Sequence, residues 1–142
     1  MINEVLTWLI RSISMTAPNI VGVTTITGKT VGAALGTTLT TALLANSSSS
    51  NKVFKINTII VSNVDGTNAA DVTIEHYNGS TGYKIASTLS VPADNSVIIL
   101  DKNSSIYLEE NCSIRGGASA ASDLQVLISY DKQSKYRRFK ST

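Results

Sequence analysis

Residues 70–91 read ADVTIEHYNGSTGYKIASTLSV, two alternating runs separated by a tight-turn signal. Val72, Ile74 and His76 fall on one face of the first run, and mostly polar residues fill the other face. Alternation with a period of two residues is typical of a half-buried β-strand. The Asn78-Gly79 dipeptide tolerates the positive φ angles that a hairpin turn requires. The stretch therefore predicts an antiparallel β-hairpin.

Outward from this hairpin, similar short runs recur at spacings of about ten residues. Strands are predicted at 20–27, 52–63, 96–101, 105–109, 112–117 and 124–131. We expect a turn at Gly28-Lys29 to end the first run and a turn over 92–95 to end the hairpin. Residues 30–45 place leucines four apart but are rich in threonine and glycine, which penalise a helix. We interpret them as two strands broken near Gly36.

The alternation also predicts which side chains share a face. In 52–63 one face is expected to carry Phe54, Ile56, Thr58 and Ile60. In 124–131 one face is expected to carry Leu124, Val126, Ile128 and Tyr130. Eight or nine strands without intervening helices favour an all-β fold, because parallel sheets need crossover helices. The prediction is one antiparallel β-sandwich or jelly-roll-like domain over 15–131, with more than 40% strand.

Composition supports this fold class. The chain has 142 residues, of which 42% are hydrophobic and only 15% charged, so its polarity comes from 19 Ser, 16 Thr and 11 Asn. Such a chain is too apolar for global disorder, and no apolar run approaches the ~20 residues that span a bilayer. A single cysteine, Cys112, excludes an internal disulfide and a multi-cysteine metal site. A single histidine, His76, excludes a His-rich metal site.

The N-terminal stretch 1–14 differs from the rest, because its apolar residues recur at helical spacing. An amphipathic helix over 2–13 is predicted, whose exposed stripe is a candidate interface: Val5, Leu6, Leu9 and Ile13. Two other interpretations stay open: a natural start at Met15, and an anchor on a membrane surface. The stretch lacks the basic region and cleavage site of a signal peptide.

The C-terminal tail 132–142 carries five basic residues and no acidic one, against a net charge of −3 over residues 1–131. Arg137 and Arg138 are its candidate contacts, because guanidinium groups bind carboxylates through two hydrogen bonds. We expect the tail to dock on an acidic protein surface. Contact with nucleic acid and a solvated tail are the alternatives.

Motifs for chemistry are weak. Residues 22–30, GVTTITGKT, have five residues between the first glycine and Gly-Lys-Thr, where a phosphate-binding loop has four. The run 97–101, VIILD, only resembles a magnesium-holding strand. His76 and Cys112 are interpreted as packed sheet residues rather than as a catalytic base and nucleophile. Acidic residues near strand ends, such as Glu109 and Glu110, are expected to be solvated. No catalytic, cofactor-binding or metal-binding residue is predicted.

Short motifs along the body resemble a known group of proteins. They are Tyr83–Ala86, Val91–Ala93, Ile106–Glu110, Ile114-Arg115 and Ile128–Tyr130. From about Thr16 to Asp131 the chain resembles small virion structural proteins of marine tailed phages, cyanophages in particular. It has Asn111-Cys112 where that family often has Gly-Asp, which makes this turn less tight. The terminal helix and the basic tail lie outside the resemblance.

The resemblance implies a non-enzymatic virion protein present in many copies, as a capsid decoration or cement or as a neck or tail component. It implies no cofactor, and partners that are other virion proteins and copies of the chain itself, as a homo-oligomer such as a trimer. Synthesis in the host cytoplasm without a signal peptide is expected. A host-surface or glycan-binding module is the alternative, with a shallow groove formed by Tyr77, Tyr83 and Tyr107. A nucleotide-binding protein is the third hypothesis.

Overall fold

The computed structural model describes residues 19–134, and β-strands make up 61% of them. Within this part of the chain there is no α-helix, and the only helical turns are two short 3-10 turns. The predicted all-β class and strand content are therefore confirmed. The predicted helix over 2–13 lies outside the described residues.

Nine strands follow one another along the chain. They are β1 (Thr25–Ala34), β2 (Ala42–Asn46), β3 (Lys52–Asn63), β4 (Ala70–Tyr77), β5 (Gly82–Val91), β6 (Ser96–Leu100), β7 (Ile106–Leu108), β8 (Cys112–Ala118) and β9 (Leu124–Ser134). The 3-10 turns cover Ile20–Gly22 and Lys102–Ser104. Because β9 continues to Ser134, the first three residues assigned above to the basic tail belong to a strand.

The strands form two antiparallel sheets. Sheet I has the order β1-β9-β3-β6, and β7 pairs with the other half of β3, beyond β6. Sheet II has the order β2-β8-β4-β5. The pairing is nested: β1 pairs with β9, β2 with β8, β3 with β6 and β7, and β4 with β5. Such pairing brings the two ends of the described chain together at one edge of sheet I.

One hydrophobic core joins the two sheets. Sheet I contributes Ile56, Ile59 and Val61 from its central strand β3, and sheet II contributes Val72 and Ile74 from β4. The face predicted for the last strand is confirmed, because its four residues are all buried: Leu124, Val126, Ile128 and Tyr130. The described chain is therefore a two-layer structure in which each sheet turns one face inward.

The face predicted for 52–63 is only half right. Phe54 and Ile56 are buried as expected, but farther along the strand the buried residues are Ile59 and Val61. The pairing of β3 with β9 shifts register between Ile56 and Thr58. An extra residue in one strand reverses the alternation beyond it, so a strict period of two fails at a bulge.

The predicted turn at Gly28-Lys29 is wrong. Both residues lie inside β1, which pairs with β9 over ten consecutive residues. Glycine is tolerated there because β1 is an edge strand and these positions are exposed. The segment therefore continues as strand to Ala34 and does not form a loop that leads into a helix. The break predicted near Gly36 is confirmed, since β1 and β2 are separated by residues 35–41.

The predicted hairpin is confirmed, and its turn depends on Gly79. Gly79 adopts φ +90°, while the Asn78 side chain accepts hydrogen bonds from the backbone N–H groups of Ser80 and Thr81. A Cβ atom on Gly79 would lie 2.4 Å from Nδ2 of Asn111, in the turn between β7 and β8. Asn111 itself adopts φ 62°, which asparagine tolerates.

We expect Gly79→Ala to lower the free energy of unfolding by about 1–2 kcal/mol, because a side chain at this φ is strained. Chemical denaturation measures the loss. Gly36→Ala is the matched control, since a Cβ at Gly36 meets no atom within 4 Å. Equal stability of the two variants would contradict this account of the turn.

Candidate functional site

The interface residues predicted from sequence lie outside the described residues. They are Val5, Leu6, Leu9 and Ile13 in the N-terminal stretch and Arg137 and Arg138 in the tail. Their roles stay predictions. The functional surfaces available for description are therefore those of the two sheets.

The residues considered for nucleophilic chemistry are sheet residues. His76 is half-buried on β4, opposite Ile114 of β8 and Tyr83 of β5. Cys112 is buried, and its thiol donates to the carbonyl oxygen of Glu110 at 3.6 Å. Burial, reinforced by the negative charge of Glu109, raises the pKa of the Cys112 thiol. The interpretation of Cys112 as a packed residue is confirmed.

Some of the acidic residues near strand ends, Glu110 and Asp101 among them, bind loop backbone rather than being only solvated. The Glu110 carboxylate accepts hydrogen bonds from the N–H groups of Ser49 and Asn51, each at 2.9 Å. Asp101 accepts from Asn103 and Ser104 at the start of the second 3-10 turn. Among residues 19–134, no group of three or more His, Cys, Asp and Glu residues is placed to hold a metal ion.

Glu75, which the sequence analysis did not single out, is the centre of a charged cluster on sheet II. Val72 and Ile74 face the core, so Glu75 and Tyr77 lie on the outer face of β4. Arg115 of β8 and Lys84 of β5 stand directly opposite Glu75 in the two neighbouring strands. Three charged side chains therefore form one row across three strands.

The contacts within this row are close. Nε and Nη2 of Arg115 donate to Oε1 of Glu75 at 2.8 and 2.5 Å, and Nζ of Lys84 donates to Oε2. The Arg115 guanidinium also lies over the Tyr77 ring, 3.8 Å from its centroid. Gly82 leaves the space that the carboxylate occupies, since a Cβ there would lie 2.4 Å from Oε2. Glu75 is consequently only 2% exposed although it is on an outer face.

The cluster sets the ionisation of Glu75. Burial of the carboxyl raises its pKa, but the hydrogen bonds and positive charges of Lys84 and Arg115 outweigh burial and hold the pKa below its ordinary value. Both oxygens of the carboxylate are bound within the protein. The geometry is that of two structural ion pairs that share one carboxylate and join β4, β5 and β8.

The outer face of sheet I has the opposite character. One row of residues crosses all four of its main strands in register: Gly32, Leu127, Ile60 and Ile98. Leu127 is 47% exposed and Ile98 is 64% exposed. Two uncharged rows flank it, Ala34-Gln125-Ser62-Ser96 on one side and Thr30-Ser129-Thr58 on the other. We call these three rows the uncharged face.

Hydroxyl groups on the uncharged face bond to one another. Oγ of Ser62 lies 2.8 Å from Oγ of Ser96, and Oγ1 of Thr30 lies 3.1 Å from Oγ of Ser129. Each pair joins two neighbouring strands and satisfies part of its own hydrogen-bonding capacity. Covering this face with another protein therefore removes exposed apolar surface from water without desolvating a charge.

The three tyrosines proposed for a glycan groove are not brought together. Tyr107 lies on β7 of sheet I, whereas Tyr77 and Tyr83 belong to sheet II. Tyr83 stands opposite His76, one position out of phase with Tyr77, so these two side chains are on opposite faces of the sheet. Tyr77 is also covered by Arg115. A single groove lined by all three is not formed.

Comparison of the chain with protein-family models and with curated proteins gives no match. Within residues 19–134, no helix has the length and apolar character needed to cross a membrane. Strand order and the chemistry of the two outer faces are therefore the observations from which function is inferred.

Proposed function

We propose that the protein is a non-enzymatic structural protein of a tailed-phage virion, present in many copies as a capsid decoration or as a neck or tail component. The nested strand order carries this proposal. In a jelly roll a long antiparallel hairpin is folded over itself. The first strand pairs with the last, the second with the one before the last, and so on inward. Jelly rolls form viral capsid domains as well as lectin domains.

The positions of the resembling motifs support the same role. Tyr83–Ala86 lies in β5, Ile106–Glu110 covers β7 and the start of the turn after it, and Ile128–Tyr130 lies in β9. Each motif is part of a strand or a turn rather than of a shared pocket. The resemblance to phage structural proteins therefore concerns the framework of the sandwich, as expected for an assembly protein.

The uncharged face is the surface that we assign to the particle. It offers an exposed apolar row flanked by hydroxyl groups, the arrangement expected where one protein packs flat against another. The outer face of sheet II, in contrast, carries the Glu75 cluster, whose ionic groups are costly to cover.

Leu127→Lys is expected to reduce incorporation into virions at least tenfold, because it places a charge in the middle of the face to be covered. Leu127 is about half exposed, so the fold is retained. The measurement is quantitative mass spectrometry of purified particles, with gold-labelled antibody to locate the protein on them.

Leu89→Lys is the matched control, because Leu89 is 39% exposed on β5 of the other sheet. It should be incorporated like the parent chain. Normal incorporation of Leu127→Lys would contradict the role of the uncharged face. Absence of the parent protein from purified particles would contradict the virion function itself.

A further inference from the structure

The open edge of β1 differs from the other open edges of the two sheets. β1 has ten residues and pairs with β9 without a register shift. β2 has only five residues and a register shift, β5 has two shifts and a positive φ at Thr88, and β6 and β7 are separated by a 3-10 turn. Short strands and bulges prevent edge-to-edge pairing. Among the described strands, only β1 keeps a long and regular edge.

The direction of the backbone groups on β1 follows from one hydrogen bond. The N–H of Leu35, the residue after β1, donates to the carbonyl oxygen of Leu124 at 2.8 Å. The direction of the backbone groups alternates along an antiparallel strand. The odd-numbered residues of β1 therefore point their N–H and C=O groups toward β9. The even-numbered residues, from Ile26 to Ala34, turn their N–H and C=O groups to the open edge. No described strand pairs with that edge.

The side chains of β1 favour close approach of another strand. The sequence TITGKTVGAA contains one charged residue, Lys29, and no proline. Gly28, Thr30 and Gly32 are small, and all three are exposed. A charge near the middle of the strand restricts which partner and which register are acceptable, since like charges directly opposite destabilise a pair.

We propose that β1 pairs antiparallel with β1 of a second copy of this chain, about a two-fold axis that passes midway between Thr30 and its equivalent in that copy. Side chains of opposite residues in an antiparallel pair point to the same side of the sheet. A two-fold axis normal to the sheet must therefore lie midway between a residue and the same residue of the second copy. An axis at Lys29 would place two ammonium groups face to face. An axis at Thr30 places Lys29 opposite Val31, and Gly28 opposite Gly32 of the second copy.

This register uses the whole open edge. The five even-numbered residues form hydrogen-bonded pairs, with about ten hydrogen bonds between the copies. Thr30 faces its own equivalent, and Thr–Thr pairs across strands are favourable. An axis at Val31 would instead place Ile26 opposite a residue beyond the end of β1. Fewer hydrogen bonds would then join the two copies.

The pairing rests on the proposed function, which requires copies of the chain to meet on one particle. A two-fold axis normal to sheet I places the outer faces of both copies on the same side. The two uncharged faces then form one continuous surface over twice the number of strands. A dimer of this kind presents two equal contact surfaces to the particle.

Thr30→Pro tests the pairing directly. Proline removes an N–H that faces the open edge and leaves the backbone hydrogen bonds to β9 in place, and edge strands tolerate it. The side-chain hydrogen bond between Thr30 and Ser129 is lost in Thr30→Pro and in Thr30→Ala alike. The full-length parent chain should be a dimer, or a multiple of dimers, by light scattering during size-exclusion chromatography. Thr30→Pro should raise the dissociation constant of the dimer at least tenfold. Thr30→Ala keeps the N–H and loses only the Thr–Thr contact, so it should raise that constant less than tenfold.

A cysteine pair provides a second readout that does not depend on proline. In a Cys112→Ala background, Thr30→Cys should form an intermolecular disulfide on mild oxidation. Cα atoms of a hydrogen-bonded pair are about 5.5 Å apart, within the range that a disulfide spans. Ser90→Cys, on the open edge of β5 in the same background, is the matched control and should form at least tenfold less cross-linked dimer.

Each outcome decides between the proposals. A parent chain that is monomeric at about 100 µM, or equal cross-linking of the two cysteine variants, overturns the pairing. A monomer whose β1 amides are protected from hydrogen exchange also overturns the pairing, because another part of the same chain then covers the edge.

An unchanged oligomer of Thr30→Pro that still enters virions contradicts the pairing and leaves the virion function standing. A dimer that is absent from virions contradicts the virion function alone.

Discussion

We expect Arg115→Met to lower the free energy of unfolding at pH 7 by about 3 kcal/mol, because it leaves the covered Glu75 carboxylate without its main cation. The carboxylate loses two N–H donors and retains only Lys84, whose side chain is 42% exposed. Methionine keeps much of the arginine volume, so loss of packing contributes little. Chemical denaturation at fixed pH measures the difference.

A double variant separates charge from packing. Glu75→Gln with Arg115→Met removes both charges, so most of the stability lost in Arg115→Met should return. A double variant as unstable as Arg115→Met would contradict the explanation by an uncompensated charge and would assign the loss to packing on Tyr77.

The loss of unfolding free energy in Arg115→Met should also depend on pH, and its direction follows from the pKa of Glu75. In the parent chain the pKa of Glu75 is below its ordinary value of 4.5, so its stabilising contribution is present above the unfolded-state pKa. That contribution is lost as the pH falls through the folded-state pKa. In Arg115→Met less positive charge offsets the burial of the Glu75 carboxyl, so its pKa is higher than in the parent chain. Protonation then removes the cost of the buried negative charge at a higher pH. The stability difference should therefore narrow as the pH falls from the folded-state pKa of Glu75 in the variant toward its lower folded-state pKa in the parent chain.

The local parts of the fold were predictable because they depend on neighbouring residues. The segments 52–63, 70–77 and 82–91 are strands with the predicted limits. Alternation identifies each strand, and Asn, Gly and Pro residues at the ends identify the turns. These signals act within about ten residues and need no knowledge of the partner strand.

The errors have a non-local cause. Gly28 and Lys29 have the composition of a turn, yet they are held extended by ten paired positions on β9, about a hundred residues away in sequence. The register shift after Ile56 likewise lies in the pairing of β3 with β9, a strand about seventy residues away in sequence. Pairing within sheet I between strands far apart in sequence overrides the local pattern in both places.

The Glu75 cluster was predictable in part. Alternation with Val72 and Ile74 places Glu75 on the outer face, and the hairpin turn at Asn78-Gly79 places Lys84 near it. Arg115 comes from β8, whose position beside β4 depends on the nested pairing of the whole sheet. The sequence therefore indicates the ion pair between Glu75 and Lys84. It does not indicate that the Glu75 carboxylate is buried between Lys84 and Arg115.

Gly116→Ala should lower the free energy of unfolding by about 1–3 kcal/mol, because it overpacks the core between the sheets. A Cβ atom on Gly116 would lie 2.7 Å from Cδ1 of Ile74, 2.8 Å from Cδ1 of Leu43 and 3.4 Å from Cδ2 of Leu35. Ile74 and Leu35 are buried, so neither side chain moves aside freely. Gly28→Ala is the control for a glycine in a strand, since its nearest atom would be 3.9 Å away.

Ile74→Val tests whether overpacking is the cause, because it removes the Cδ1 atom that the new methyl group would meet. Alone, Ile74→Val should cost about 0.5–1.5 kcal/mol through the lost methyl group. Combined with Gly116→Ala, it should cost less than the two single losses together, since the added carbon occupies part of the space left by the other. If the losses of unfolding free energy in the two single variants are strictly additive, the effect of Gly116→Ala belongs to the backbone of β8. That result would contradict the close contact between Gly116 of β8 and the Ile74 side chain of β4 in the core.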